Sequence, residues 1–330
     1  MAEPTVAWVG GIYFREDFAR QGFNVIPVTF STPRALTWDA LCEECGQEPD
    51  IVVYNDRSLP PPLAGVESFP CLTVFYCIDS HIHEWYPAYA QGFDLCAVSL
   101  RDHLPRFRLR LAEDRVFWLP PYPIRDEHPP ADPVEREWDL LFAGTVNPET
   151  TPERHAFLKE LKERFPGLVV RQGVFSELFP KAKVVLNIAE RGDLNFRVFE
   201  ALATRSCLLT PQVGHGQNDL FEDGRHLFTY PSGDAEAVAR LARDLIGNPE
   251  QCETAREAGY RRINEGNRRE HRAALLAERI RRLDRHAVVA DRIARADEIK
   301  ARHTRLIYLH WANAEQATPL GHVYLAAAKK

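Results

Sequence analysis

The chain has 330 residues, enough for two ordinary cores, and its 45% hydrophobic and 27% charged residues are the balance of a soluble protein. A formal net charge of −6 argues against a general nucleic-acid binder, and no apolar run approaches the roughly 20 residues of a membrane span. The amino terminus, MAEPTVAWVGG, enters a strand at once without the basic region and apolar core of a signal peptide, so a cytoplasmic address is expected.

In chain order, VAWVG reads as a strand, followed by the turn Gly10–Gly11 and a helix over about Phe14 to Gln21. FNVIPVTF and DIVVYN are the next strands, the latter ended by Asp56 and the loop SLPPPLAG. CLTVFYCI is the most apolar strand of the amino half, and DLCAVS and RVFWLP complete that sheet. Such βα alternation implies parallel sheets with helices on both faces. The proline-dense stretch LPPYPIRDEHPPADP, residues 119–133, is a semi-rigid linker.

A second domain starts at WDLLFAGT. Its strand ends in Gly144 and Thr145, and a helix opens near Thr151 with Pro152 and Glu153 in its first turn. Gly144 lets a ligand approach the backbone. KVVLN is a buried strand ending in Asn187, AERGDLN a charged loop, and a helix covers about Phe196 to Thr204 before the strand SCLLT. Ligands of open α/β sheets bind beyond the carboxyl ends of the strands, where helix N-termini attract phosphate. Asn187, Asn195 and Arg197 occupy that position, with Glu200 a turn further on. A cation and backbone N–H groups suit a diphosphate, and a carboxylate suits ribose hydroxyls.

NFRVFEALATRSCLLT, then LFEDGRHLFTYPSGDAEAVARLARDLIGNPE and AREAGYRRI, resemble the carboxyl-terminal donor domain of GT-B glycosyltransferases, in the group-1-like branch that includes the CgeB spore-coat maturation type. The match runs in order over roughly residues 138–265. FYCIDSHIHEWYPAYAQGFDLCAVSLRDHLPRF and RVFWLPPYPIRDEH resemble the end of that family's amino domain and its linker. The resemblance implies two Rossmann-like domains facing each other across a cleft. Residues 1–120 would be the acceptor domain, 121–137 the linker, 138–265 the donor domain, and 266–330 a helical extension and tail. It implies transfer of a sugar from a nucleotide sugar, UDP-linked by expectation, to an unknown acceptor hydroxyl on a glycan, lipid-linked carrier or protein. A GT-B-type sugar-nucleotide epimerase and a non-catalytic nucleotide-sugar-binding or assembly protein are the alternatives. Gly144, Thr145, Asn195 and Arg197 would hold the diphosphate and Glu200 the ribose, and Arg154 lies where a family arginine often does. Gly10 and Gly11 would lie under the sugar or acceptor. In one departure, many retaining members carry two glutamates eight positions apart around this helix. Glu200 is the second, and Gly192 holds the first position.

Asp79 and His81 follow the CLTVFYCI strand, where a base for the acceptor is expected, His81 first and Asp79 second or as its orienting partner. His81, His83 and Glu84 could also be read as metal ligands. The chain has no Asp-x-Asp triplet, however, so neither metal nor other cofactor is expected. Gly10–Gly11 is not a dinucleotide fingerprint either. Seven scattered cysteines read as reduced, with Cys42 and Cys45 a lone CEEC of structural or incidental role. The Arg- and Glu-rich stretch after Pro249 carries an apolar stripe of Ala273, Leu275, Leu276, Ile280 and Leu283. It reads as a packed, salt-bridged helix, with peripheral contact at the inner membrane face as the alternative. The tail from Arg305 is apolar enough to dock or to pair with a second copy.

Overall fold

The computed structural model describes residues 3–329. The chain divides into two compact units, one built from the residues up to Pro120 together with those from Arg272 on, the other from Pro121–His271.

In the first unit, β1 (Thr5–Gly10), β2 (Asn24–Val28), β3 (Ile51–Asn55), β4 (Leu72–Cys77), β5 (Leu95–Val98) and β6 (Val116–Trp118) form a parallel sheet ordered β2-β1-β3-β4-β5-β6. The residues of β3, β4 and β5 are all buried, which is why these strands read as unbroken apolar runs rather than alternating ones. Tyr54, Phe75, Tyr89 and Phe93 stack into the core of one face.

The second unit holds β7 (Trp138–Ala143), β8 (Leu168–Arg171), β9 (Ala182–Leu186), β10 (Leu208–Pro211) and β11 (Phe228–Tyr230), parallel and ordered β11-β10-β9-β7-β8. Helices Pro152–Arg164, Phe196–Ala203, Ala235–Gly247 and Pro249–Gly266 accompany it. In the Phe196–Ala203 helix every residue from Val198 on is buried, as expected of FRVFEALA. The proline-rich stretch is packed rather than a free spacer. Tyr122 is buried with its ring 5.6 Å from that of Phe196, and Arg268 donates to the Glu127 carbonyl at 2.5 Å.

The segment 266–330, read from the sequence as a helical extension and tail, packs over most of its length, from Arg272 on, on the first unit. Ile307, Tyr308, Ala312, Tyr324 and Ala328 enter the core of β3 and β4, from the helices Arg305–Ala314 and Pro319–Lys329. Tyr324 donates to the Pro61 carbonyl at 2.7 Å and Tyr308 to Glu67 at 3.1 Å. Arg292, fully buried, uses its fork completely. It donates to Asp94 at 2.9 Å and to the carbonyls of Val66, Glu67, Phe69 and Cys71 at 2.7–2.9 Å. A guanidinium withdrawn from water demands this saturation. Of the apolar stripe, Ala273, Leu276 and Ile280 are buried, while Leu275 and Leu283 are half-buried. Among the described residues no helix is long and apolar enough to cross a membrane.

Candidate functional site

Strand order locates the crevice in each sheet. In the second, β7 is flanked by β8 on one side and β9 on the other, so the chain reverses its direction of winding there. Ligands of doubly wound sheets bind at such a switch point. The loop after β7 and the loop after β9 therefore converge on one place, and the predicted residues Gly144, Thr145, Arg154, Asn195 and Arg197 lie on them or on the helices they lead into.

Arg197 is largely withdrawn from solvent one residue into the Phe196–Ala203 helix, and its buried Nε has no hydrogen-bond partner. Its guanidinium lies over the rings of Phe142 and Phe175, at 5.5 and 5.2 Å. Burial pulls its pKa below the usual arginine value; Glu200 opposes that shift and Arg154 adds to it. Gly144 faces this group. A Cβ there would stand 3.2 Å from the Phe142 ring and 3.3 Å from an Arg197 Nη, so glycine leaves the approach open. Arg154 donates to the Thr145 carbonyl at 2.7 Å and pairs with Glu190 at 2.9 and 3.0 Å, with its guanidinium 5.7 Å from the same Phe142 ring. Thr145 itself is exposed. Asn195 precedes the helix without capping it by its side chain. Its Nδ2 donates to the Ile188 carbonyl at 3.2 Å, and its Oδ1 is buried without a partner.

Asn187, at the end of β9, lies deeper than the other predicted donor-site residues. It is fully buried, donates to Thr210 at 3.0 Å, and offers its carbonyl to the Tyr230 hydroxyl at 2.7 Å. It ties β9 to its neighbours, and its Oδ1 is buried without a partner.

The first sheet reverses between β1 and β3, and Gly10 and Asn55 end those strands side by side. Gly10 has φ 98°, and a Cβ would fall 2.3 Å from the Asn55 carbonyl oxygen, so only glycine fits. Gly11 is exposed; its carbonyl receives the Trp8 indole N–H at 2.8 Å, and a Cβ on it would overlap the Tyr13 ring. Asp79 accepts from Ser58 Oγ at 3.0 Å. No hydrogen bond links it to His81 among the described residues, so it does not orient that imidazole. His81 is half-buried, with Nδ1 buried and without a partner. His83 bonds the Ser58 carbonyl at 3.1 Å and Glu84 pairs with Arg106 at 2.7 Å, so these side chains point to different partners. Among the described residues no group of three or more His, Cys, Asp or Glu could hold a metal ion.

The second unit's sequence carries a family signal. Residues 154–278 match a family profile described as glycosyl transferase-like. A search of curated proteins gives no match. Among solved structures, Anabaena HepE in complex with UDP and glucose superposes with a TM-score of 0.61 at 10% identity, over 85% of this chain and all (100%) of that one. A sucrose-phosphate synthase from Thermosynechococcus elongatus gives 0.62 at 11% identity, covering 84% and 98%. A glycosyltransferase from Rickettsia africae gives 0.58 at 9%, covering 84% and 98%. The fold is GT-B.

In this GT-B chain the sequence reading missed two carboxyl groups. Glu127, 5% exposed on the proline-rich segment, acts on Glu200, which is 4% exposed. Burial first, then Glu127, raises the Glu200 pKa to about 7, while Arg197 and Arg125 pull it down. No spacing rule could have paired two residues so far apart in sequence. Asp56, just beyond β3, is 1% exposed and accepts from Tyr86 at 2.6 Å and from the Ser58 and Asp79 backbone N–H groups at 2.8 and 3.2 Å. Burial raises it to about 6, against those hydrogen bonds. Its signal was present: a carboxylate ending a wholly apolar strand.

Proposed function

We propose that this protein is a glycosyltransferase that takes a sugar from a nucleoside diphosphate donor, UDP-linked, without a metal ion, and passes it to an acceptor hydroxyl. Arg197 carries this reading. A largely buried guanidinium with an unpartnered Nε, beside a glycine that leaves its approach open, at a helix N-terminus on a sheet switch point, matches the chemistry of a diphosphate. GT-B enzymes neutralise the leaving diphosphate with such cations and helix ends, so the absence of Asp-x-Asp in the sequence agrees. Arg154 would exchange Glu190 for phosphate. Asn195 would turn its free Oδ1, or its flipped amide, to the ligand. Glu200, in its ionised form, would accept from the ribose hydroxyls. HepE, whose fold this chain shares, is known in complex with UDP and glucose, and that likeness supports UDP as the first donor nucleotide to test.

On the first unit, the acceptor would meet the loops after β1 and β4. His81 is the candidate base, because it follows β4 and its Nδ1 has no hydrogen-bond partner. Asp79, hydrogen-bonded to Ser58, shapes the loop. Thermal-shift and calorimetric screening of UDP-, GDP- and TDP-sugars tests the reading, with mass spectrometry for slow donor hydrolysis. No stabilisation by any nucleotide sugar would overturn it.

A further inference from the structure

We infer that Cys207 and Cys252 form an oxidisable dithiol that closes to a disulfide within the second unit. Cys207 leads into β10 and Cys252 lies in the first turn of the Pro249–Gly266 helix, 45 positions on, with their Sγ atoms 3.4 Å apart. A disulfide needs about 2 Å between sulfurs, so a modest side-chain rotation suffices if the backbone stays in place. The backbone there is fixed: Cys207 accepts from the Val185 N–H at 2.8 Å, and Cys252 donates its N–H to Asn248 at 3.2 Å.

Cys252 donates its own S–H to the Leu245 carbonyl at 3.2 Å, so its thiolate forms by giving up that hydrogen bond, against which other neighbours act. The Cys207 S–H donates to Cys252, and Arg256 and Arg136 act on both sulfurs, with Glu253 the opposing charge. Arg256 lies one turn further along the helix, 5% exposed, with its Nε buried and unpartnered. Its remaining nitrogens hold the Lys183 carbonyl at 2.5 Å and Glu253 at 3.1 Å. Arg136 also lines an open pocket of about 270 Å³, with Thr204, Arg205 and Pro180. Neither cysteine lines that pocket, and both are 1–2% exposed, so oxidation requires a local opening that admits the peroxide. The hydrogen bond from Cys207 brings the Cys252 pKa down to about 7. Burial and acidic neighbours push the more accessible Cys42 upward, and Cys45 to about 11.

The chemistry balances with hydrogen peroxide as oxidant. The Cys252 thiolate attacks one peroxide oxygen, the O–O bond breaks, an S–O bond forms, and the other oxygen leaves as water after taking a proton. The Cys207 sulfur then attacks the sulfenic sulfur. The S–S bond forms, the S–O bond breaks, and a second water leaves with the Cys207 proton. Two thiols are oxidised and one peroxide is reduced.

The test is peptide mapping of the folded protein after graded hydrogen peroxide and alkylation of the remaining thiols. The expected result is a peptide pair joined through Cys207 and Cys252, and a thiol titre that falls by two from seven. Cys42 and Cys45 should remain alkylatable at the same dose. In Cys207→Ser, dimedone should label Cys252. Oxidation of Cys42 and Cys45 ahead of the buried pair would overturn the inference. So would recovery of Cys207 and Cys252 as separate alkylated thiols at every dose that leaves the protein folded. Wild-type mapping alone decides if a variant fails to fold, and the outcome is independent of any sugar-transfer reading.

Discussion

Replacing Arg197 with methionine separates a ligand-binding cation from a structural one, because one role moves UDP affinity and the other moves stability. In the free protein, the unpartnered buried Nε costs about 1–3 kcal/mol. The Phe142 and Phe175 rings, at 5.5 and 5.2 Å, each return about 0.5–1 kcal/mol. These terms nearly cancel, and methionine keeps most of the apolar stem. Stability should therefore stay within about 1 kcal/mol, a Tm change of about 4 °C or less. With a diphosphate bound, charged hydrogen bonds of about 1.5–3 kcal/mol disappear. UDP affinity should fall about ten- to a hundred-fold at tenfold per 1.4 kcal/mol. Isothermal calorimetry with UDP, alongside a thermal melt, measures both. Unchanged UDP affinity would remove Arg197 from the site, and a large fall in Tm with no ligand present would show that its role is structural.

Four further outcomes are expected. Gly144→Ala places a methyl 3.3 Å from an Arg197 Nη, on a backbone at φ 159° that disfavours a side chain, and should weaken UDP several-fold with some loss of stability; calorimetry that finds wild-type affinity would show that the approach lies elsewhere. Glu200 has a folded-state pKa of about 7, above its unfolded value near 4.5, so its contribution to stability is full below pH 4.5 and is lost as pH rises through 7. Glu200→Gln should match the wild type near pH 5 and exceed it at pH 8 by about 1–3 kcal/mol in urea unfolding, while UDP binding loses its rise with pH through neutrality. His81→Ala should cut turnover by about 10²- to 10⁴-fold with UDP affinity unchanged, as expected of a base acting on the acceptor; undiminished transfer would place the base elsewhere. Transfer should persist in excess EDTA, and loss restored by Mn²⁺ would contradict a metal-free mechanism.

The strands were legible because burial on both faces leaves no alternation to misread. β8 was missed for the opposite reason. It lies at the edge of its sheet, with Val170 38% exposed and Arg171 exposed, so LVVR resembles a loop. The Trp38–Cys45 helix escaped notice because Leu41 is its one buried residue. Arg197, Gly144 and Glu200 could be named from local order, since a strand, a loop and a helix start are contiguous in sequence. Asn187 shows that a polar residue at a strand end can also serve its neighbours, here Thr210 and Tyr230, which the sequence pattern does not reveal. Glu127 and Asp56 matter through neighbours distant in sequence, which pattern cannot supply. The C-terminal helices showed an apolar stripe, but a stripe does not say which core it covers.

The saturated fork of Arg292 has a consequence for biosynthesis. Its acceptors lie between Val66 and Asp94, in the segments leading into β4 and β5, while the arginine emerges from the ribosome about two hundred residues later. Until then, the carbonyls of Glu67, Phe69 and Cys71 lack the arginine donor and the core lacks Tyr308 and Tyr324. Residues 121–271 are complete before that moment. The nascent chain should therefore finish its second unit first and close its first unit last. A message truncated upstream of codon 292 would yield a first unit with unpaired buried carbonyls, a substrate for chaperones and proteases rather than a smaller enzyme.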